Sequence, residues 1–406
     1  MIQIIQNVQI IQIILYFFIL LIIFFYIYIK LKYNFWCIQP VFHFYDFHYW
    51  IRNVGIISTE LPLKNKFTNF QNVKTCISTS LTDNQLKNIV AFIQLNYLRN
   101  KNNVFHPKLE NVINYFIGHN YPCYWSVYQI NEIINDSNKN NIIENNKIIG
   151  IMSSRPLKCI IQNKNINFDL YYVDYLCVDK KYRNKNIAPQ IIQTHEYNQS
   201  HSNKKISVSL FKREEELTGI IPLTYYDTYC YDIFDFTNSS KIDVNFQLLT
   251  CDKQNIYYFY HFMKEYSYKW DIYIFPTISN LYNLIESKNI FIKMCVVDTE
   301  IIAAYIFKKT CTYLDKNKQV LSCIGSINGT YLNNDEFIDV FNLSIFSLLN
   351  NDDNKNENMH FLSIENISDN KILNNYKNYL FKSPTAYFFY NFAHSPFKSS
   401  NCLIIN

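Results

Sequence analysis

Tyr175-Leu176-Cys177-Val178-Asp179-Lys180-Lys181-Tyr182-Arg183-Asn184-Lys185-Asn186-Ile187-Ala188-Pro189 reads as an apolar strand that runs into a basic turn and starts a helix. Apart from Asp174, residues 171 to 178 are aromatic, aliphatic or sulfur-bearing, the composition of a buried strand. Lys180, Lys181, Arg183 and Lys185 then stand at the mouth of the next helix. A helix N-terminus offers unpaired backbone N–H groups and the positive end of a dipole. Cations gathered around it complete a cradle for a diphosphate. The chain has no Gly-x-Gly-x-x-Gly and no Walker lysine, which argues against NAD or ATP held in those ways.

A basic strand–turn–helix of this kind resembles the diphosphate-binding element of the GNAT acyltransferase fold. More narrowly, Tyr172 to Pro189 resembles the signature of glycylpeptide N-tetradecanoyltransferases (N-myristoyltransferases). There a strand ending Asn-Phe-Leu-Cys-Val precedes His-Lys-Lys-Leu-Arg-Ser-Lys-Arg-x-Ala-Pro. Here Asp174 replaces the Asn, Tyr175 the Phe, Asp179 the His and Asn184 the Ser. Phe35-Trp36-Cys37-Ile38-Gln39-Pro40-Val41 is similar to the Phe-Trp-x-Thr-Gln-Pro-Val that opens the family's catalytic domain. Asn96-Tyr97 with Asn103-Val104-Phe105 is similar to its Asn-Tyr…Asn-Met-Phe loop, and Tyr387 to Phe392 to its Tyr-x-Leu-Tyr-Asn-Trp strand. The resemblance runs over residues 33 to 406 in the family's order. It implies an α+β fold of tandem GNAT-like halves, residues 33–235 and 236–406, sharing one continuous saddle-shaped sheet, as a monomer.

Amide formation from an acyl thioester needs an amine that loses its proton, a stabilised carbonyl oxygen and a thiol that leaves. In the GNAT fold the strand ending at Tyr175-Leu176 splays from its neighbour at a bulge, so that backbone N–H groups point into the cleft. The resemblance makes the amides of Tyr175 and Leu176 the oxyanion donors. It makes the α-carboxylate of Asn406 the base, because the family uses its own C-terminus. The tail Asn401-Cys402-Leu403-Ile404-Ile405-Asn406 is apolar, and an apolar tail calls for a burial site where most termini fray. For the co-substrate, myristoyl-CoA, the resemblance implies Phe35, Trp36 and Gln39 over the acyl chain. Leu176, Cys177, Val178, Arg183, Asn184, Lys185, Asn186, Ile187, Ala188 and Pro189 would hold the coenzyme. The second half would bind N-terminal-glycine peptides, together with Tyr97, Phe105, Phe211, Tyr226, Ser326, Asn328 and Tyr387. No permanent cofactor and no metal are expected.

The peptide side departs from the family more than the coenzyme side does. Its acidic loop is replaced by Arg99-Asn100-Lys101-Asn102. Its Tyr-Thr-Ala-Gly aligns with Phe211-Lys212-Arg213-Glu214, its Arg-Tyr-Trp-His with Tyr225-Tyr226-Asp227-Thr228, and its Gly-Asp-Gly turn with Lys382-Ser383-Pro384. Acidic groups give way to basic ones, which points to a changed peptide preference; Glu214, Glu215 and Glu216 could restore acidity.

Composition sets the outer limits. The 406 residues suffice for two domains, and 49% hydrophobic content supports a core. A net charge of +5 is too small to argue for nucleic-acid binding. The 11 cysteines show no CxxC pair and no histidines at zinc spacing, as free thiols in a reducing compartment would; Cys177 reads as a strand-core thiol. Ile10 to Ile29 carries one glutamine and no charge, long enough to span a bilayer core. Lys30 and Lys32 follow it and no charge precedes it, which puts residues 1–32 as a single-pass anchor with the bulk of the chain in the cytosol. The charged flank is on the wrong side for a cleaved leader, and no small-x-small site follows.

The pattern predicts an irregular aromatic segment over 30–75. Helices are expected near 83–96, capped by Thr82, and over 108–117, 188–199, 254–265, 278–287 and 335–349. Strands are expected at 124–130, 148–153, 166–178, 206–211, 319–327 and 360–364, with a hairpin of 290–297 and 301–307. The Asn-rich 131–147 reads as a hairpin insertion or disordered loop, and 350–358 as a solvated loop.

Overall fold

The computed structural model describes the chain except residues 1, 52–53, 99–102, 137–140, 215–218, 238–245, 316, 330–331, 351–357 and 375–377. Side chains are also left undescribed at 2–9, 132–136 and 141–145. The basic loop at 99–102, Glu215 and Glu216 therefore lie outside the described residues, as does most of the 350–358 loop.

Helix α1 (Ile2–Lys32) comes first, then the short α2 (Phe47–Ile51) and strands β1 (Gly55–Ile56) and β2 (Val73–Ile77). Next are α3 (Asp83–Asn96), β3 (Asn103–Phe105), α4 (Glu110–Ile113), β4 (Tyr124–Asp136), β5 (Asn141–Ile161) and β6 (Ile166–Val178). Helix α5 (Ile187–Ser202) leads to β7 (Ser209–Glu214), β8 (Thr224–Asp232) and β9 (Gln247–Thr250). Then follow α6 (Ile256–Glu265), β10 (Ile272–Phe275), α7 (Ile278–Glu286), β11 (Ile290–Val297), β12 (Glu300–Leu314) and β13 (Lys318–Asn328). The chain closes with α8 (Asn334–Leu349), β14 (Met359–Glu365), α9 (Asn370–Asn374), β15 (Phe381–Tyr390), β16 (Phe392–Ala393) and β17 (Cys402–Ile404).

One mixed sheet runs β17-β10-β5-β6-β7-β15-β8-β14-β13-β12-β11-β9; β4 and β2 extend β5, and β3 pairs with β12. The expected α+β class and continuous sheet are observed. The order interleaves residues from either side of position 235, since β10 and β17 join the edge beside β5 and β15 lies between β7 and β8. Alternate residues face opposite layers. Ile151, Tyr175, Ile292 and Ile306 face α3, α6 and α7. Met152 and Val178 face α5, while Phe291 and Phe307 face α8.

Several elements form where the sequence places them, for reasons visible in the side chains. Thr82 and Gln85 close a capping box at the start of α3. Asn333 and Glu336 do the same for α8. Residues 131–136 and 141–147 extend the β4–β5 ladder. Others differ. The helix expected over 108–117 is one α-turn followed by a 3-10 turn at Asn114–Phe116, ending at Gly118 with φ +80°. The strand expected at 206–211 lies at Ser209–Glu214. Lys382-Ser383-Pro384, aligned with a turn, are strand residues opposite Tyr229, Thr228 and Asp227. Strands β8 and β10 were not foreseen.

Of α1, Ile10–Lys32 is long and apolar enough to cross a membrane, and none of its most apolar window is buried against the rest of the chain. Between α5 and the sheet, contact is close at Gly150, where a Cβ would stand 2.5 Å from Ile191 Cδ1. Ile191 is itself fully buried, so it has little room to give. Gly150→Val should destabilise the fold by about 1–3 kcal/mol, seen as a lower thermal midpoint, while a substitution at exposed Lys181 should leave it unchanged.

Candidate active site

Strand β6 is paired on both sides only as far as Val173. On one side, β7 matches Tyr171, Tyr172 and Val173 through Ser209, Leu210 and Phe211, and beyond Phe211 it pairs with β15 alone. On the other, the register with β5 slips between Ile151↔Cys177 and Ser153↔Asp174, so two residues of β6 oppose one of β5. Those two are Tyr175 and Leu176, and Tyr175 adopts a left-handed φ of +51°. Such a backbone is costly for an aromatic residue. It is held by packing: the Tyr175 ring stacks on Trp125 at 5.9 Å and meets Tyr97 edge-on at 5.4 Å. Phe105 lies beside both tyrosines.

The bulge carries an occupant that the sequence did not announce. Asp174 Oδ1 accepts the Tyr175 N–H at 2.8 Å and the Tyr97 hydroxyl at 3.1 Å. Ser153 Oγ donates to the Asp174 carbonyl at 3.0 Å. One of the two expected oxyanion donors is therefore already hydrogen-bonded, by the residue that replaces the family's Asn.

The basic turn is built as expected. Asp179 caps a 3-10 turn at Lys180–Tyr182, and Asn184 and Asn186 take left-handed φ values of +62° and +56°. Asn186 precedes Ile187 without a side-chain cap, so the first N–H groups of α5 are not covered by their own N-cap. Pro189 sits in the first helical turn, where its missing N–H leaves no gap. Arg183 is a strut as well as a charge: Nε donates to Val178 O at 3.2 Å and Nη2 to Asn96 O at 3.3 Å. Lys185 lies over the Tyr182 ring at 5.0 Å. Ala188 and Leu176 are half-buried; Cys177 and Val178 are buried, and burial pushes the Cys177 thiol well up, which makes it inert.

The segment expected to cover an acyl chain is tied down through Gln39. Its Oε1 accepts from Tyr390 Oη at 2.7 Å and its Nε2 donates to Gln193 Oε1 at 3.0 Å. Phe35 packs edge-on against Trp36 and Phe67. Trp36, Phe211 and Phe388 form a stack with centroids 5.7 and 5.3 Å apart. Phe211, expected on the peptide side, thus belongs with the Trp36 segment.

The remaining peptide-side residues fall into two groups. Tyr387 accepts a hydrogen bond from Asn406 Nδ2 at 3.1 Å and its ring lies near Tyr226, whose hydroxyl donates to the Glu365 carboxylate. Lys212 Nζ pairs with the same carboxylate at 2.8 Å. Burial opposes the charge of Lys212, but Glu365 outweighs it and holds the ammonium above its ordinary range. Ser326 is buried with its hydroxyl unpartnered among the described residues. Asn328 stands apart in another cluster: its N–H donates to Asp369 Oδ2 and its carbonyl accepts from Lys269 Nζ.

The C-terminal segment is buried, as its composition suggested. β17 runs parallel to β10, Ile405 packs in the same core as Tyr175, and Asn406 is 3% exposed. The Asn406 main-chain oxygen accepts from Lys308 Nζ at 3.0 Å. Lys308, Lys212, Glu365 and the fully buried Arg155 were not singled out in the sequence. A lysine or arginine inside an alternating strand reads there as a solvent-facing position.

A mixed sheet parted at a bulge, with a basic turn feeding an uncapped helix, is the architecture of a GNAT-like fold. Residues 56–222 match the family model described as "Myristoyl-CoA:protein N-myristoyltransferase, N-terminal domain". A protein of Amsacta moorei entomopoxvirus, provisionally named glycylpeptide N-tetradecanoyltransferase, is 28% identical over 184 residues. That match covers 43% of this chain and 58% of the relative, so less than two thirds of the relative's length is spanned. The fold agreement is wider. A crystal structure of Saccharomyces cerevisiae N-myristoyltransferase with bound myristoyl-CoA superposes with TM-score 0.70 at 12% identity, covering 92% of this chain and 99% of that one. A second structure of that enzyme with bound myristoyl-CoA gives TM-score 0.70 at 14% identity, covering 91% and 90%.

Gln39→Ala would leave the Tyr390 hydroxyl and the Gln193 amide buried without partners, at about 1–3 kcal/mol. The expected result is faster limited proteolysis between residues 33 and 75, with the rest of the fold intact.

Proposed function

We propose that the chain transfers a myristoyl group from myristoyl-CoA to the N-terminal glycine of peptides or proteins. The observation that carries this reading is the parted strand at Tyr175-Leu176 ending in the basic turn, within a region of N-myristoyltransferase sequence. The S. cerevisiae enzyme with bound myristoyl-CoA supports the choice of co-substrate through its shared fold. In this reading Arg183, Lys185 and the N–H groups of Ile187 and Ala188 hold the diphosphate. Phe35, Trp36 and Gln39 cover the acyl chain. Tyr97, Phe105, Tyr226, Ser326, Asn328 and Tyr387 meet the peptide, and residues 33–235 and 236–406 are the two halves of the catalytic unit.

The thioester carbonyl would sit against the N–H groups of Tyr175 and Leu176. The first of these is held by Asp174, so thioester binding has to displace that carboxylate. The α-carboxylate of Asn406 would accept a proton from the glycine amine. Reference values near 3.5 and 8 make that transfer about 6 kcal/mol uphill in water, and burial of both groups narrows the gap. A chain extended by a few residues past Asn406 lacks the carboxylate at this point. With N-terminal-glycine peptides and myristoyl-CoA, coenzyme A release by the full chain should fall at least about 10²-fold on extension. Equal rates would remove Asn406 from the chemistry.

The Asp174–Tyr175 hydrogen bond favours one second reading, a protein that binds acyl-CoA and turns nothing over. Tight acyl-CoA binding without release from any glycine peptide would establish it. We further propose that residues 10–29 anchor the enzyme in a membrane, with Lys30 and Lys32 on the cytosolic side. Detergent-free lysis should leave the activity in the membrane pellet; soluble active protein would remove the anchor.

A further inference from the structure

We propose that Lys308 is a positioning residue: its ammonium pairs with the α-carboxylate of Asn406 and keeps that group ionised and aimed, with Arg155 reinforcing it. The inference rests on the transfer reaction proposed above and deepens it, since there the same carboxylate takes the proton from the glycine amine. Lys308 Nζ donates to the Asn406 main-chain oxygen at 3.0 Å. With Asn406 as the terminus, as that reading requires, this oxygen is one of the two carboxylate oxygens, and the contact is an ion pair.

A carboxylate in this place needs such a partner. Asn406 is 3% exposed, and Ile405 before it is fully buried in the core that holds Tyr175. Burial alone pushes a carboxyl group toward its neutral form, and a neutral carboxyl does not take a proton from an ammonium. A cation at hydrogen-bond distance reverses that and fixes the direction of the group. Two other contacts already hold the tail. The Ile405 N–H donates to Ile274 O at 2.8 Å, and Asn406 Nδ2 donates to Tyr387 Oη at 3.1 Å. Lys308 adds a third point from β12, which is not a ladder neighbour of β17.

The charges nearby leave the same place to be filled. Burial opposes the Lys308 charge most. Asp174 on β6 and Glu365 on β14 support it, while Arg155 on β5 and Lys212 on β7 oppose it. Both acids are taken. Asp174 accepts from the Tyr175 N–H and the Tyr97 hydroxyl; Glu365 holds Lys212 at 2.8 Å and accepts from the Tyr226 hydroxyl. Arg155 is fully buried, and its Nε, Nη1 and Nη2 have no hydrogen-bond partner among the described residues. A guanidinium stays charged at any ordinary pH. It lies 5.0 Å from the centre of the Tyr115 ring and 4.9 Å from that of Tyr172, and Lys308 Nζ lies 5.1 Å from the same Tyr115 ring. Arg155, Lys212 and Lys308 thus face Asp174 and Glu365, which already have partners. The Asn406 carboxylate is the acid that brings the group to neutrality, with Lys308 as its direct partner.

The effect on the reaction has one sign. A positive charge disfavours the protonated carboxylate and equally disfavours the ammonium form of an amine brought up to it. With Lys308 in place, an ionised acceptor and a free amine are therefore reached at lower pH. The other titratable group on Asn406 is Tyr387, whose hydroxyl burial holds well above its ordinary range, so it stays neutral.

Two measurements test this. One is kcat for coenzyme A release by the full chain, at saturating glycine peptide and myristoyl-CoA, against pH. Lys308→Met keeps the stem and removes the charge. It should move the rising limb up by about one unit or more, so that much of the loss at neutral pH is regained at higher pH. Lys308→Arg should keep the wild-type limb, and Arg155→Met should move it up by less. The other measurement needs no activity: a carboxypeptidase is added to the folded full chain, and loss of Asn406 is followed by intact mass. Lys308→Met should lose Asn406 at least about tenfold faster than wild type, and Lys308→Arg should not. In an active enzyme, a limb left in place by Lys308→Met overturns the proposal, as does an unchanged rate of Asn406 loss. If Lys308→Met does not fold, the limb of Arg155→Met decides, and an unmoved one overturns it. Wild-type protein that releases no coenzyme A with any glycine peptide removes the transfer reaction. The ion pair then stands on faster loss of Asn406 from Lys308→Met and falls on an unchanged rate.

Discussion

Between Val173 and Cys177, strand β6 has lost its partner on one side and one residue of register on the other. A backbone in that state is expensive. Its polar groups need partners, and Tyr175 sits in a left-handed conformation that costs an L-residue on the order of 1–2 kcal/mol. Two features offset this. Trp125, Tyr97, Phe105 and Phe116 enclose the Tyr175 ring, and Asp174 takes its N–H. The aromatic packing fixes where the backbone points. The carboxylate gives the N–H left without a ladder partner a hydrogen bond.

That arrangement puts Asp174 at the centre of a field of mixed charge. Lys212 and Lys308 are both deeply set, yet their ammonium groups shift in opposite directions. The difference is the partner. Lys212 has the Glu365 carboxylate at 2.8 Å, whereas Lys308 has a main-chain oxygen at 3.0 Å and Arg155 nearby. Burial disfavours charge in both, and for Lys212 the Glu365 carboxylate reverses it. One cation is thereby structural, anchoring β7 to β14 and keeping Glu365 beside the Tyr226 hydroxyl.

The strand, turn and helix over residues 166–202 were legible in the sequence and several other elements were not, for physical reasons. Residues 166–178 form a strand with the expected ends because a long apolar run between Asn165, at φ +52°, and the Asp179 turn has little freedom to be anything else. Thr82 with Gln85 announces α3 through a capping box that is local in sequence. Strand β10 is only Ile272–Phe275, and its place is set by β5 and β17, more than a hundred residues away on either side. Strand β8 alternates tyrosines with Asp227 and Asp232 and shows no apolar face to read. Pro384 tolerates its strand position although it cannot donate to the ladder. Arg155 and Lys308 were hidden by the same alternation that identifies strands. Only the packing of Tyr115 between them shows that their face is inward.

The position of Asn406 follows from the sheet rather than from the tail. Strand β5 pairs with β6 along one side, where the bulge lies, and with β10 along the other. β10 in turn holds β17 in parallel, Ile272 to Cys402 and Ile274 to Ile404. Because β10 runs antiparallel to β5, the C-terminal strand heads toward the end of β5 that carries the bulge. The Ile405 N–H still bonds to Ile274 O, and the next residue has left the ladder and meets Lys308 and Tyr387. Two residues beyond a four-strand ladder have little slack, so the terminus is held by register as well as by the hydrogen bond of its own side chain to Tyr387. In the proposed reading Tyr175, Leu176 and Asn406 contribute backbone atoms, so such a site tolerates replacement of the residues around it. What such a site cannot tolerate is a change in the strands that aim them.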